Sequence, residues 1–547
     1  MRDVLNKKII IRALVLFIVV ILFLGLPYRF MGFDSDCFGY IYRVGHGSFT
    51  LKEFFCKPIS ICYAPVNEVI DSAKASMLYR PLPLCFIYWL YQFFGTHAYP
   101  YFLLSILFHA FSCVLIYLIF LQVVFDPYAL FLALLVAVFP SHTPSLLGIT
   151  SFIIICYTLC FLALFLWVLF KQTRHWYWYI GSGLLFFSSL FVYEMPLIFP
   201  FVICWYLFIF DRKNFIKDSW LFFVFEALYF LLRYCMIGCK SFTAGSGLIQ
   251  LIVQIPDNII QAIKPFFGMQ DASWPVVAIL LFLLILLFVV YCAFKKDERI
   301  KMLFYSTAFI ACSWPIFLCN SSSRYFYLAV PFFCLLLYEL ICFVSEFLFG
   351  KKEPLFILGS LFFCIGWSGF YTTRALIQRE AYTHGRDIAY ARLTRFIKTP
   401  QDKIVVIGSL HAYNHEVFLM FSGVSQAISL FTGLDQKNIF HVKEAAIMGQ
   451  HDTQSCFDIL PVPGGYRFVS QEPKKLFMMC PYGWKEGVPV LYSMGTIIPH
   501  HIDNGWKCTD LSIMFDKRWL INLEYLRIVT WNPARWDFEE LPTDHLR

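Results

Sequence analysis

The stretch Ile9–Ile41, IIIRALVLFIVVILFLGLPYRFMGFDSDCFGYI, joins a long apolar run to a short acidic segment. Its first part, Ile9–Leu26, has about the length that crosses a bilayer. Its last part places the carboxylates of Asp34 and Asp36 just past that run. Charges so close to hydrocarbon are costly, so the acidic pair indicates either a functional site or a solvated cap on the first span.

The composition of the chain defines its class. Of its 547 residues, 59% are hydrophobic and 15% are charged. The apolar residues form runs of about 20 residues, the length of a membrane-spanning helix, which a soluble core could not bury. The formal charge of +8 lies in short loops between these runs and does not indicate binding to nucleic acid. We therefore predict an α-helical polytopic membrane protein.

The apolar runs predict eleven membrane spans: Ile9–Leu26, Tyr99–Val124, Ala129–Gly148, Ser151–Phe170, Trp178–Val192, Met195–Phe210, Trp220–Ile237, Pro275–Phe294, Met302–Leu318, Tyr325–Leu348 and Leu355–Tyr371. The run Pro81–Phe94 is too short to cross comfortably. If it lies along the outer interface, most Lys and Arg residues of the short loops are cytoplasmic, as the positive-inside rule requires. The amino terminus is then cytoplasmic, whereas the loop 28–98 and all residues after Tyr371 face outward.

Two domains are predicted, a membrane module of residues 1–371 and an extracytoplasmic α/β domain of residues 372–547. In the second, Lys403–Gly408 is typical of a buried strand and His415–Phe431 of a helix. Later short apolar runs are typical of further strands. The His, Asp and Cys residues of this tail include no pair at metal-ligand spacing, so no metal site is predicted.

Further polar residues fall on the predicted outer side. Arg80, in YRPLP, either reaches toward lipid headgroups or holds a phosphate. His142, in FPSHTP, is either an interfacial hydrogen-bonding residue or part of a site. Glu194, in VYEMP, lies at the tip of a tight hairpin that needs a polar turn in any case. Arg324 is followed by Tyr325 in SSSRYFYLAVP. The positive-inside rule disfavours an arginine on the outer side, so its presence there favours an anionic ligand.

The order and common sidedness of these motifs resemble the GT-C superfamily of polytopic glycosyltransferases. They are most similar to the protein O-mannosyltransferases of the tetratricopeptide-repeat type, although the repeats are absent. The resemblance covers roughly Asp34 to Pro331, and no single motif is specific. It implies a GT-C-like bundle of about eleven spans with interfacial helices in the first outer loop. It also implies an inverting hexosyltransferase that moves a sugar from a polyisoprenyl-phosphate donor to an acceptor hydroxyl outside the cytoplasm.

The resemblance also implies roles for individual residues. Asp34 or Asp36 would be the catalytic base, with Asp34 the first choice because the first acid of the pair has that role in the similar enzymes. Arg80 and Arg324 would neutralise the phosphate as it leaves, so the scheme requires no metal. The other positions implied to bind substrate are His142, Glu194 and Tyr325.

The sequence also departs from the family pattern. The acids are separated by Ser35, and Phe139 and Pro144 stand where the repeat-bearing relatives tend to have His and Glu. The acceptor, whether protein, glycan or lipid, therefore stays open. The expected partners are the lipid bilayer, the lipid-linked sugar and that acceptor. We expect the protein in the bacterial inner membrane in preference to the endoplasmic reticulum.

Two other functions stay open. A transporter or lipid flippase with an outer binding domain would carry ionisable residues within its spans, as Glu226 and Arg233 are here. A membrane-anchored binding protein would instead work through its outer tail. Substitution of Asp34 and Asp36 separates both alternatives from the enzyme.

The predicted topology is tested by a reporter fused after Arg547. Because eleven spans with a cytoplasmic amino terminus leave the carboxy terminus outside, an alkaline phosphatase fusion should be active. A cytoplasmic reporter signal from this fusion would contradict the arrangement and invert the sidedness of every candidate residue.

Overall fold

The computed structural model divides the chain into two units, Met1–Met31 with Ser48–Glu380 and Gly32–Gly47 with Ala381–Arg547. It describes residues 7–33, 41–42, 45, 80–147, 153–237, 255, 259, 262–264, 266–269, 273–295, 298–314, 323–407, 424–435, 438–442, 446–447, 457–462, 465–470, 477–479, 490–494, 497–499, 506–508, 510–515, 526–532 and 537–541. Part of the predicted first outer loop therefore belongs with the tail.

The first unit is built from helices, as the composition predicts. In chain order they are α1 Lys7–Leu24, α2 Pro81–Phe94, α3 Ala98–Phe120, α4 Tyr128–Ala137, α5 Thr143–Leu147, α6 Ile153–Thr173, α7 Trp176–Leu190, α8 Phe199–Phe210, α9 Trp220–Ile237, α10 Trp274–Phe294, α11 Arg299–Cys312, α12 Val330–Phe349 and α13 Pro354–Arg392, which continues into the second unit. Within the described ranges, six segments are long and apolar enough to span a membrane: Lys7–Tyr28, Ala98–Phe120, Ile153–Thr173, Trp274–Phe294, Val330–Phe349 and Pro354–Phe396. The prediction of an α-helical polytopic membrane protein is confirmed.

One predicted span, Ala129–Gly148, is a broken helix. The helix α4 has 10 residues, and a 3-10 turn, Pro140–His142, follows it before α5 begins. Phe139 is extended, with φ −68° and ψ 129°, because the ring of a following proline disfavours the helical conformation. The break puts His142 in a turn between two helices.

The helix α2 is the run whose crossing the sequence left in question. Its 14 residues extend over about 21 Å, less than the roughly 30 Å of a hydrocarbon core. Trp89 and Phe93 are 58% and 75% exposed, whereas Ile87 is fully buried. This short helix is therefore apolar on both its packed and its exposed surface.

Small residues bring α6, α7 and α9 together around an aromatic core that includes Phe186 and Phe222. The hydroxyl of Ser182 donates to the carbonyl of Ala163 over 2.6 Å. A Cβ on Gly183 would lie 2.6 Å from the Phe225 ring. Small side chains at such crossings let helix backbones approach closely.

A charge cluster closes the carboxyl end of α6. Lys171 contacts Asp211 at 2.5 Å and Asp218 at 2.6 Å. The Asp218 side chain is fully buried and also accepts from Arg174 at 2.8 Å. Arg174 has a left-handed backbone, with φ 60°, where α6 ends. The cluster therefore joins α6 to the connection between α8 and α9.

The hydrogen bond from Lys171, and to a smaller extent that from Asn214, holds the pKa of Asp211 below its ordinary value of 3.8. A carboxyl whose pKa is lowered by folding contributes stability above its unfolded pKa. That contribution is present at neutral pH and is lost as the pH falls below about 4, through the lowered folded value.

The charge cluster predicts unequal effects for two matched substitutions. Asp218→Asn leaves Lys171 and Arg174 facing a buried neutral amide and should cost about 3 kcal/mol or more of unfolding free energy. Asp211→Asn, at a side chain 28% exposed, should cost about 1 kcal/mol or less. Unfolding by SDS in mixed micelles at pH 7 measures both. Equal losses would contradict the account of the cluster.

The second unit contains helix α14, Val424–Thr432, and strands grouped in four-stranded sheets within the described ranges. The strands are β1 Lys403–Ile407, β2 Ile439–Val442, β3 Ala446–Ile447, β4 Phe457–Val462, β5 Gly465–Ser470, β6 Phe477–Met479, β7 Val490–Met494, β8 Ile497–Pro499, β9 Trp506–Cys508, β10 Asp510–Phe515, β11 Leu526–Asn532 and β12 Asp537–Glu540. One sheet has the order β12-β11-β1-β2, with β1 parallel to β11 and β2. The other two, β4-β5-β10-β7 and β3-β6-β9-β8, are antiparallel.

A buried carboxylate fixes the turn that leads into β1. Asp402 accepts from the backbone N–H groups of Lys398 and Thr399 at 2.6 and 3.1 Å, and from the Thr399 hydroxyl at 3.0 Å. Burial alone would raise the pKa of Asp402, but these hydrogen bonds and the nearby Arg527 lower it. The predicted strand Lys403–Gly408 is thus found as β1. Of the predicted helix His415–Phe431, only the end in α14 lies within the described residues.

Candidate functional site

A buried ion pair joins two of the predicted site residues. Arg80 lies at the amino end of α2, and Glu194 lies in the turn after α7. The Nε and Nη2 atoms of Arg80 donate to Oε2 of Glu194 over 2.8 and 2.6 Å. The two side chains are only 18% and 7% exposed. Since burying two charges is expensive, such a pair between turns is a candidate functional centre.

Aromatic rings and a second cation surround this pair. The Arg80 guanidinium lies 3.6 Å from the ring centroid of Tyr193. The Tyr193 hydroxyl lies 3.4 Å from that of Tyr325, another predicted site residue. Arg233 on α9 is 4% exposed and interacts electrostatically with Glu194 and Arg80. Among the described residues, the guanidinium groups of Arg80 and Arg233 therefore both interact with the Glu194 carboxylate.

A second cluster surrounds His142, which is fully buried. The ring of His142 lies 4.1 Å from that of Tyr327, which stacks on Tyr157 at 4.6 Å. His109 bonds to the Tyr327 hydroxyl through Nδ1, and its Nε2 lies 2.9 Å from the carbonyl of Ala137. A carbonyl can only accept, so Nε2 carries the proton and Nδ1 accepts from the tyrosine. The imidazole of His109 thus fixes the orientation of Tyr327.

Several buried polar atoms around these clusters have no hydrogen-bond partner among the described residues. They are Oε1 of Glu194, Oγ of Ser141, both ring nitrogens of His142 and Oγ1 of Thr143. The carbonyl of Val136 approaches the His142 ring without hydrogen-bond geometry. A buried polar group without a partner costs about 1–3 kcal/mol. This grouping is therefore suited to a polar ligand that would supply the missing hydrogen bonds.

The two turns that carry these clusters meet in the fold. The 3-10 turn Pro140–His142 packs against the 3-10 turn Ser323–Phe326, and Tyr193 reaches Tyr325 in that same turn. Motifs far apart in the sequence thus meet at one end of the helices. Tyr157 lies about four helical turns, roughly 21 Å, before Lys171 on α6. The candidate site and the charge cluster therefore lie at opposite ends of α6.

The structure does not describe every predicted site residue. Asp34 and Asp36 lie outside the described residues, and so does the side chain of Arg324, although its backbone is described. Arg80, His142, Glu194 and Tyr325 are described, and their motifs come together. Among the described residues, no three His, Cys, Asp or Glu side chains form a group that could hold a metal ion.

Sequence reasoning missed several residues of the site. Tyr193 and Tyr327 belong to quoted motifs, but Glu194 was chosen in the first motif and Arg324 and Tyr325 in the second. Arg233 was considered only as a candidate transporter residue in the same span as Glu226. These two lie about two helical turns apart, roughly 10 Å along α9, and Arg233 instead interacts with Arg80 and Glu194.

No protein family matches the sequence, and no curated protein matches it. Among solved structures, the chain is similar to ArnT from Cupriavidus metallidurans bound to undecaprenyl phosphate, with 10% identity and a TM-score of 0.43 over 81% of this chain and 86% of that one. The apo state of the same protein gives 11% identity and a TM-score of 0.40 over the same shares. At this identity the likeness transfers no residue role.

The shared carboxylate predicts an asymmetric double-mutant cycle. Glu194→Met removes the anion with which both Arg80 and Arg233 interact, so it should cost about 3–5 kcal/mol of unfolding free energy. Arg80→Met should cost less, because Arg233 still compensates Glu194.

The double variant should then be more stable than Glu194→Met alone, since it removes one of the two cations that have lost the Glu194 carboxylate. SDS unfolding of the four proteins in mixed micelles provides the measurement. Simple additivity of the two single effects would contradict the shared-carboxylate arrangement.

Proposed function

We propose that the protein is a membrane glycosyltransferase of the GT-C type. In this proposal it moves a sugar from a polyisoprenyl-phosphate donor to an acceptor hydroxyl on the extracytoplasmic side, in the bacterial inner membrane. The observation that carries the proposal is the buried cluster of Arg80, Glu194 and Arg233. Two guanidinium groups buried together at one end of a helical membrane unit suit an anionic ligand at headgroup depth.

The donor phosphate fits this cluster by charge and by geometry. Arg80 leads into α2, whose exposed Trp89 and Phe93 are typical of an element at a membrane interface. A lipid with its tail among the helices would present its phosphate at that level. Arg80 and Arg233, with Arg324 as the sequence suggests, would stabilise the negative charge that develops as the phosphate leaves.

The sugar would lie among the buried polar atoms that lack partners. Oε1 of Glu194 can accept from a sugar hydroxyl, whereas the hydroxyls of Ser141 and Thr143 can donate or accept. His142 can do both through its two ring nitrogens. The stacked rings of Tyr327 and Tyr157 pack beside the His142 imidazole. They would therefore hold the imidazole in a fixed orientation.

The acceptor hydroxyl would lose its proton to an acid of the first outer loop. Asp34 is assigned as the base, and Asp36 would orient the acceptor or a neighbouring cation. In an inverting displacement the acceptor oxygen bonds to the sugar carbon as the bond to the phosphate oxygen breaks. The proton goes to the carboxylate, and the lipid phosphate departs with the electron pair.

A transfer assay tests this proposal. Purified protein in lipid is supplied with a panel of polyprenyl-phosphate hexoses and with acceptors extracted from cells that lack the protein. Asp34→Asn keeps the size of the side chain and removes the base, so turnover should fall by on the order of a hundredfold. Asp36→Asn should lower turnover less.

Asp211→Asn is the matched control, because it makes the same change at the opposite end of α6 and should leave transfer unchanged. An inactive Asp36→Asn with an active Asp34→Asn would exchange the two roles. If both variants transfer sugar at the wild-type rate, the glycosyltransferase proposal is wrong. The transporter or flippase then becomes the leading alternative.

A further inference from the structure

The chain that leads to the acidic segment is held by α13. The backbone N–H of Gly32 donates to the Thr383 hydroxyl over 2.9 Å. The carbonyl of Phe33 accepts from Nη2 of Arg386 at 2.5 Å. Thr383 and Arg386 are fully buried, and Phe33 is only 2% exposed. Both backbone anchors therefore lie within the two residues that precede Asp34.

The close approach at this point requires a glycine. A Cβ on Gly32 would lie 2.4 Å from Oδ2 of Asp387, 3.0 Å from Cβ of Thr383 and 3.2 Å from Nη2 of Arg386. None of these groups can move away easily. Nε and Nη2 of Arg386 donate to Oδ1 of Asp387 over 2.9 and 2.6 Å, so the carboxylate and the guanidinium hold each other in place.

The buried guanidinium of Arg386 donates to a backbone carbonyl, that of Phe33. Arg386 makes its hydrogen bonds to Asp387 on its own helix and to Phe33, which is more than three hundred residues away in the sequence. A charge-assisted hydrogen bond to a carbonyl is strong and directional. The arrangement therefore fixes one point of the first outer loop against α13 with little freedom.

We propose that Thr383, Arg386 and Asp387 are positioning residues for the catalytic acids. This inference rests on the proposed function, because it takes Asp34 or Asp36 as the base. Consecutive Cα atoms are about 3.8 Å apart, so an anchor at Phe33 fixes where the chain enters the acidic segment. A misplacement of about 1 Å at a reacting group can cost about a hundredfold in rate. In this proposal they act on the reaction through the backbone of Gly32 and Phe33.

Thr383 offers a sharp test. Thr383→Val keeps the shape and removes the acceptor of the Gly32 N–H, so kcat should fall about tenfold while the KM for the lipid-linked donor changes less than about twofold. Thr383→Ser keeps the hydroxyl and should restore kcat. Thr394→Val makes the same chemical change at a hydroxyl that donates to the nearby Ala391 carbonyl, and it should leave kcat unchanged.

Gly32→Ala tests the close approach in the same assay and should also lower kcat with little effect on KM. Its matched control is Gly366→Ala on α13, where an added Cβ would meet nothing within 4 Å. A merely structural role for Gly32 would lower the amount of folded protein and leave kcat per folded molecule unchanged.

Hydrogen–deuterium exchange of the peptide that covers Gly32 and Phe33 provides a readout independent of activity. Exchange should be faster in Thr383→Val and Gly32→Ala, and it should match the wild type in Thr383→Ser and Thr394→Val.

Faster exchange with an unchanged kcat would overturn the positioning role and leave the proposed function standing. Unchanged exchange in Thr383→Val would refute the anchor itself. A wild-type protein that transfers no sugar from any polyprenyl-phosphate donor would overturn the proposed function, and the catalytic part of this inference with it.

Discussion

The hydrogen-bonded ion pair between Arg80 and Glu194 is the interaction on which the candidate site depends. It joins the start of α2 to the turn after α7, and Tyr193 extends it to the turn that carries Tyr325. Removal of either side chain would deprive a buried charge of its hydrogen-bonded partner, which is costly. Arg233 adds a second guanidinium group to the same cluster, and guanidinium groups are suited to binding phosphate and other anions.

Clusters of charged residues lie near both ends of α6, and the two clusters have different roles. The cluster of Lys171, Arg174, Asp211 and Asp218 balances two cations with two carboxylates, so it is typical of a structural lock. Near the cluster of Arg80, Glu194 and Arg233, by contrast, the described residues include buried polar atoms with no hydrogen-bond partner, such as Oε1 of Glu194 and Oγ of Ser141. This contrast between satisfied and unsatisfied groups separates the stabilising end of the helical unit from the candidate reactive end.

The sequence predicted local features well because they depend on local chemistry. Apolar runs located the helices, a short apolar run located β1, and the Phe139-Pro140 step could have predicted the break after α4. The contact between Arg80 and Glu194 could not be predicted, since it joins residues 114 positions apart in the chain. Tyr327 and Arg233 were missed for the same reason, because their roles arise from tertiary packing. The grouping of Gly32–Gly47 with the tail likewise has no signal in composition or periodicity.

Binding of a short-chain polyprenyl phosphate to the purified protein, followed by native mass spectrometry, tests the central claim most directly. The claim is that the positive cluster at the end of the helices holds a lipid phosphate. We expect the wild-type protein to bind this lipid in preference to the corresponding polyprenol, and we expect Arg80→Met and Arg233→Met each to weaken that preference at least about tenfold. Equal binding of the phosphate and the alcohol, or a preference that survives both substitutions, would contradict the account.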